Sequence, residues 1–170
     1  APEFKVCDCL SPHVNTVCAT EELVGQVRVP PRTHLVGPSI PPGARGDEVD
    51  LPENRLGTTL PIVYASFGSQ ISWQPALFAT IVEAARPLPV QLVLSAGELA
   101  PRFDGNGIVA LPYVSQLAIL KRARAFLTHG GANSVMEALH AGVPLLVSPI
   151  CNDQPHQAHF VTRAEAGVTL

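Results

Sequence analysis

Charge is scarce in this chain. Only 15% of its 170 residues are Asp, Glu, Lys or Arg, and the net charge of -3 leaves no basic footprint for a nucleic acid or an anionic membrane. No apolar run approaches the roughly 20 residues needed to cross a bilayer, and no secretory signal is visible. Cysteine is limited to Cys7, Cys9, Cys18 and Cys151. A set of Cys7, Cys9, His13 and Cys18 matches none of the familiar zinc spacings, so the expectation is no metal and reduced thiols in a cytoplasmic protein. The usual nicotinamide fingerprint, Gly-x-Gly-x-x-Gly after a strand, is missing, and so is a Walker A loop. The chain opens on Ala1 and stops as a strand begins at Val168, so both ends are expected to be cuts.

What is present is apolar and ordered. A hydrophobic fraction of 46% describes a well-buried globular unit, and this length suits one domain. More than half of the 17 prolines fall in residues 1–61. Pro30-Pro31, Pro38 and Pro41-Pro42-Gly43 exclude long helices there, while Thr33 to Val36 suits a short strand. Residues 41–59 read as a linker and residues 60–170 as the main domain. From Leu60 onward, short apolar strands alternate with helical patterns. The strands are expected at Ile62–Ser66, Val90–Ser95, Ile108–Leu111, Ala125–Thr128, Leu145–Ser148 and Val168–Leu170. The helices are expected at Gln74–Ala85, Gln116–Ala123, Ser134–Ala141 and Gln154–Ala166, with none in the loop containing Pro101. Such alternation predicts an α/β fold, a doubly wound parallel sheet of Rossmann-like type. In strand order 3-2-1-4-5-6, ligands bind beyond the ends of strands 1 and 4. Here those ends carry Ser66-Phe67-Gly68-Ser69 and Thr128-His129-Gly130-Gly131, two glycine turns facing across one crevice.

The stretch from Ala125 to Gln154 organises the rest. Two glycines turn the chain after a strand, Asn133 and Ser134 suit a helix start, and Gly142 with Pro144 stops the helix. Free N–H groups and the helix dipole at that start would seat an anion, most naturally a phosphate. His129 is either a donor to a diphosphate or a strand-end histidine satisfied by backbone. Glu137 either closes a capping box with Ser134 or accepts from ligand hydroxyls. Asp153-Gln154 either starts a helix or recognises a polyol. Asp153 with His156 and His159 could be drawn as a metal site, but an exposed helix face explains them.

His129-Gly130-Gly131-x-Asn133-Ser134-x-x-Glu137, then Gly142-Val143-Pro144 and Pro149-x-x-x-Asp153-Gln154, resembles the donor-binding signature of the UDP-glycosyltransferases of GT-B fold. Tyr113-Val114-Ser115-Gln116 is similar to that family's aromatic-x-Pro-Gln segment, with Ser115 where proline is usual, which would leave the loop less rigid. The resemblance implies the donor-binding C-terminal domain of an inverting hexosyltransferase, with residues 1–40 the tail of a missing N-terminal acceptor domain or an extension. It implies diphosphate contacts at His129, Gly131, Asn133 and Ser134, joined by Ser69 on the facing turn. It places Glu137 on the ribose, Tyr113 and Val114 on the base, and Asp153 and Gln154 on the sugar. The general base would lie in the missing domain, so no catalytic residue is assigned here and the isolated chain is expected to be inactive. The partners implied are a UDP-sugar donor and a small-molecule acceptor, with no cofactor, metal or nucleic acid. Alternatives of other classes are a non-catalytic nucleotide-binding module and an NAD-type oxidoreductase domain.

Overall fold

The computed structural model describes residues 10–26, 28–41, 46, 49–68 and 74–170. The proline-rich beginning forms a small unit: strand β1 (Asn15–Val17), helix α1 (Glu21–Val24) and strand β2 (Thr33–Leu35), with β1 and β2 pairing in parallel. Neither β1 nor α1 was expected. Helix α1 is a single turn held by the Thr20 side chain, which accepts from the Leu23 N–H at 3.4 Å. It packs on the last helix, where the Arg163 guanidinium donates to the Leu23 carbonyl at 2.6 Å.

The remainder alternates as the sequence predicts. Strands β3 (Ile62–Ser66), β4 (Gln91–Ser95), β5 (Val109–Leu111), β6 (Ala123–Thr128), β7 (Leu145–Val147) and β8 (Gly167–Thr169) form one sheet. Every pairing is parallel and the order is β5-β4-β3-β6-β7-β8, the doubly wound arrangement expected. Helices α2 (Pro75–Ala85) and α3 (Ala100–Phe103) cover one face; α4 (Gln116–Leu120), α5 (Ala132–His140) and α6 (Gln154–Arg163) cover the other. Alternate residues of β3, β4, β5 and β6 enter separate cores. Tyr64, Val93, Phe126 and Leu145 point toward α4–α6, while Ala65, Leu92, Leu94 and Ala110 point toward α2 and α3. Tyr64 and Phe126 stack with centroids 4.7 Å apart, joining the two central strands.

Four expectations are corrected. The loop with Pro101 carries a 3-10 turn (Gly97–Leu99) running into α3, because a proline in the first helical turn removes no bonded N–H. Helix α4 ends at Leu120 and Ala123 begins β6, with Arg124 an extra bulged residue opposite β3. Helix α5 starts at Ala132, two residues before the expected Ser134, with Gly131 as its N-cap. Segment 49–56, expected as exposed linker, is fastened to the sheet unit: Leu56 is buried and Leu51 packs against the same core as α4–α6.

Candidate functional site

Ser66 and Thr128 are register partners at the C-terminal ends of the two central strands. The chains leaving them diverge and open a crevice, as switch-point geometry requires. It has two contiguous lobes, of about 390 and 410 Å³, that share Gly68 and Asn133. One lobe is lined by His129, Gly131, Asn133, Ser134, Asp153 and Gln154, and the other by Tyr64, Ser66, Tyr113, Val114, Gln116 and Glu137. Nine of the ten site residues expected from sequence therefore line this crevice; the tenth, Ser69, lies outside the described residues.

Two glycines shape the first lobe. Gly130 has φ +86, and a Cβ there would sit 2.6 Å from the Val147 side chain. Gly131 has an ordinary extended backbone, φ -60 and ψ 138. A Cβ on it would instead lie 2.6 Å from the His129 Nε2. Across the crevice, a Cβ on Gly68 would meet the same imidazole at 3.1 Å. His129 is thus wedged between the two glycine turns, half-buried. Burial holds its pKa below the ordinary 6.5, opposed by a hydrogen bond to the Ser66 carbonyl and by the Asp153 carboxylate. The first turn of α5 opens onto the same lobe without a side-chain cap, so its N–H groups face the cavity.

The capping-box reading of Glu137 is corrected here. Ser134 lies inside the helix, and the Glu137 carboxylate accepts from the Gln116 side-chain amide at 2.7 Å. The same amide reaches the Ser134 hydroxyl at 3.4 Å. Glu137 is only 5% exposed yet lines the second lobe, a buried carboxylate facing a cavity. Burial also raises the pKa of Tyr64, whose ring floors this lobe. Val114 is buried in the core and Tyr113 is exposed at the rim.

Asp153 precedes α6 in the N-cap place, but its side chain caps nothing and is exposed at the first lobe. Gln154 behaves differently. It is 5% exposed, and its Oε1 accepts from the N–H groups of Ile150 and Cys151 at 2.8 and 2.9 Å. That carboxamide holds the loop which brings Asn152, at φ 56, and Asp153 to the cavity. Sequence reasoning missed Gln116 and Asn152. Gln116 heads a helix, and Asn beside an Asp at a helix start signals the left-handed conformation it adopts.

A doubly wound sheet with an uncapped helix N-terminus and a buried carboxylate one turn farther along, both opening on the switch-point crevice, defines a Rossmann-like α/β unit. Comparison with known proteins makes this specific. The family model described as UDP-glucoronosyl and UDP-glucosyl transferase matches residues 56–170. The chain belongs to that family. It is 34% identical over 141 residues to the uncharacterized UDP-glucosyltransferase YdhE of Bacillus subtilis, covering 80% of this chain and 35% of that protein. The glycotransferase of kitacinnamycin superposes with TM-score 0.76 at 28% identity, over 94% of this chain and 42% of that one. Os79 of O. sativa, solved in complex with UDP, has the same fold at 22% identity and TM-score 0.58, over 64% of this chain and 27% of that one. The chain thus spans about a third of the length of the relatives it matches.

Proposed function

We propose that the crevice binds a UDP-sugar and that the chain is the donor-binding part of an inverting glycosyltransferase moving a hexose to an acceptor hydroxyl. One observation carries this: an open helix N-terminus and a wedged imidazole stand in the same crevice as a buried carboxylate. The first pair suits a diphosphate, and the carboxylate suits the vicinal hydroxyls of a ribose. The family membership and the name of the Bacillus relative support UDP as the nucleotide.

In this reading the N–H groups of Gly131, Asn133 and Ser134, with His129 and Ser69, hold the diphosphate and stabilise it as the leaving group. Glu137 holds the ribose. Tyr113 stacks on the base while Val114 offers it backbone groups. Asp153 and Gln154 serve the sugar, Gln154 through its amide N–H. No cofactor or metal takes part, and an N-terminal domain binds the small-molecule acceptor and supplies the general base, in a cytoplasmic enzyme. No helix among the described residues is long and apolar enough to cross a membrane.

A thermal-shift panel tests the assignment. UDP at about 100 times its dissociation constant should stabilise the fold by about 2.7 kcal/mol, on the order of 5–10 °C in Tm. NADH and AMP should do little. A clear shift with NADH and none with UDP would sink the proposal in favour of an oxidoreductase domain.

A further inference from the structure

Ser115 occupies the N-cap place of α4, where a serine hydroxyl normally accepts from the helix's own N–H groups, but it makes no such bond. Its hydroxyl is engaged elsewhere. It accepts from the Val49 N–H at 2.7 Å and donates to the Val49 carbonyl at 2.6 Å, across 66 positions of sequence. Ser115 is 4% exposed, whereas the Val49 side chain is 54% exposed. Side-chain burial therefore does little to hold Val49 there, and the hydroxyl holds its backbone. Farther along the same segment, Glu53 pairs with Arg122 just beyond the last turn of α4, at 2.5 Å. Leu51 and Leu56 rest on the core. Segment 49–56 is thus a strap lying along α4 and fastened near both of its ends.

We infer that Ser115 is a positioning residue, through which this strap sets the base and ribose side of the donor crevice. The inference rests on the proposed function. Residues 112–114, immediately before Ser115, line the second lobe, and Gln116, immediately after it, holds Glu137. Val114 and Gln116 flank the clamped serine directly, and Tyr113 is one residue farther along the chain. A loop that would be stiffened by proline is stiffened here by two hydrogen bonds to a distant backbone. Nucleotide binding and strap docking become coupled, since each orders the loop the other needs. The diphosphate seat at α5 touches this linkage only through the longer contact of the Gln116 amide with the Ser134 hydroxyl, at 3.4 Å.

The test compares the 170-residue chain with Ser115→Ala and Ser115→Thr, titrating UDP and inorganic pyrophosphate by calorimetry and following hydrogen exchange of residues 49–56. Ser115→Ala should weaken UDP by about 5- to 50-fold, within the usual range of coupling between sites. Pyrophosphate should change by less than about twofold, well below that range. UDP should slow exchange across the strap in the parent and lose that effect in Ser115→Ala, and Ser115→Thr, which keeps the hydroxyl, should restore both. Should Ser115→Ala not fold, Arg122→Ala loosens the strap at an exposed pair, with Leu56 and the Arg55–Asp104 pair still holding its far end, and should show the same selective loss to a smaller degree. Equal loss for UDP and pyrophosphate, or UDP affinity unchanged in a parent that binds, would overturn the clamp alone. A parent indifferent to UDP would refute the proposed function itself.

Discussion

Glu137→Ala is the most discriminating single change to the site. The carboxylate is 5% exposed and accepts from the Gln116 amide at 2.7 Å. A carboxylate has about four acceptor positions, enough for that amide and a pair of vicinal hydroxyls together. A hydrogen bond to a charged group contributes about 1.5–3 kcal/mol, or roughly 10- to 150-fold in affinity. Calorimetric titration of the parent should therefore show UDP binding about tenfold or more tighter than 2′-deoxy-UDP. In Glu137→Ala the ratio should fall toward one, because the partner of the missing hydroxyl is gone. Folding stability will also drop, by about 1–3 kcal/mol, since the half-buried amide of Gln116 loses its acceptor. That loss does not depend on the sugar of the ligand, so the ratio separates binding from stability. Glu137→Gln keeps an acceptor for Gln116 without the charge and should recover most of the stability but only part of the discrimination. An identical UDP to 2′-deoxy-UDP ratio in parent and Glu137→Ala would refute the ribose role.

The paired glycines should fail in different ways. Gly130→Ala combines a positive φ with a contact of 2.6 Å on the Val147 side chain, and denaturant unfolding should show a loss of about 2–5 kcal/mol. Gly131→Ala meets only the His129 ring, so it should cost about 1 kcal/mol in folding yet weaken UDP clearly; the reverse ranking would argue against the wedge. His129 supplies a pH signature. Its folded pKa lies below 6.5, so the unfolded chain binds more protons between those values, and stability of the free chain is lost as pH falls through 6.5. A bound diphosphate favours the charged ring, so UDP-sugar affinity should rise from about pH 8 to 5.5 with proton uptake seen by calorimetry in two buffers. Uptake unchanged in His129→Asn would remove the ring from the diphosphate.

The strands and their order were legible because each is a short apolar run ended by a turn residue, and buried parallel strands have no other pattern to offer. The glycine turn was legible for a related reason: only glycine tolerates what Gly130 and Gly131 each meet. The start of α5 was misread because Ser134 is a better N-cap than Gly131 by intrinsic preference, yet only a residue without a Cβ leaves room for His129. Helix α3 was missed because proline usually breaks helices, and its tolerance in a first turn depends on where the turn begins. Ser115 was read as a weakness for want of a proline. Its partner is 66 residues away, and no local pattern reports a contact at that separation.

The two lobes differ in what builds them, and this explains why one was easier to read than the other. The lobe at the α5 N-terminus is made largely of backbone: a helix start and two turns in which side chains must be absent. Absence is visible in a sequence as glycine. The other lobe is made of side chains from separate elements, with Tyr64 on β3, Gln116 on α4 and Glu137 on α5. Their meeting depends on how α4 is seated, and α4 has only five residues, too few to hold a position by its own hydrogen bonds. Packing and the strap must supply that position. Changes along residues 49–56 should consequently reach base and ribose recognition before they reach the diphosphate, although none of those residues lines either lobe.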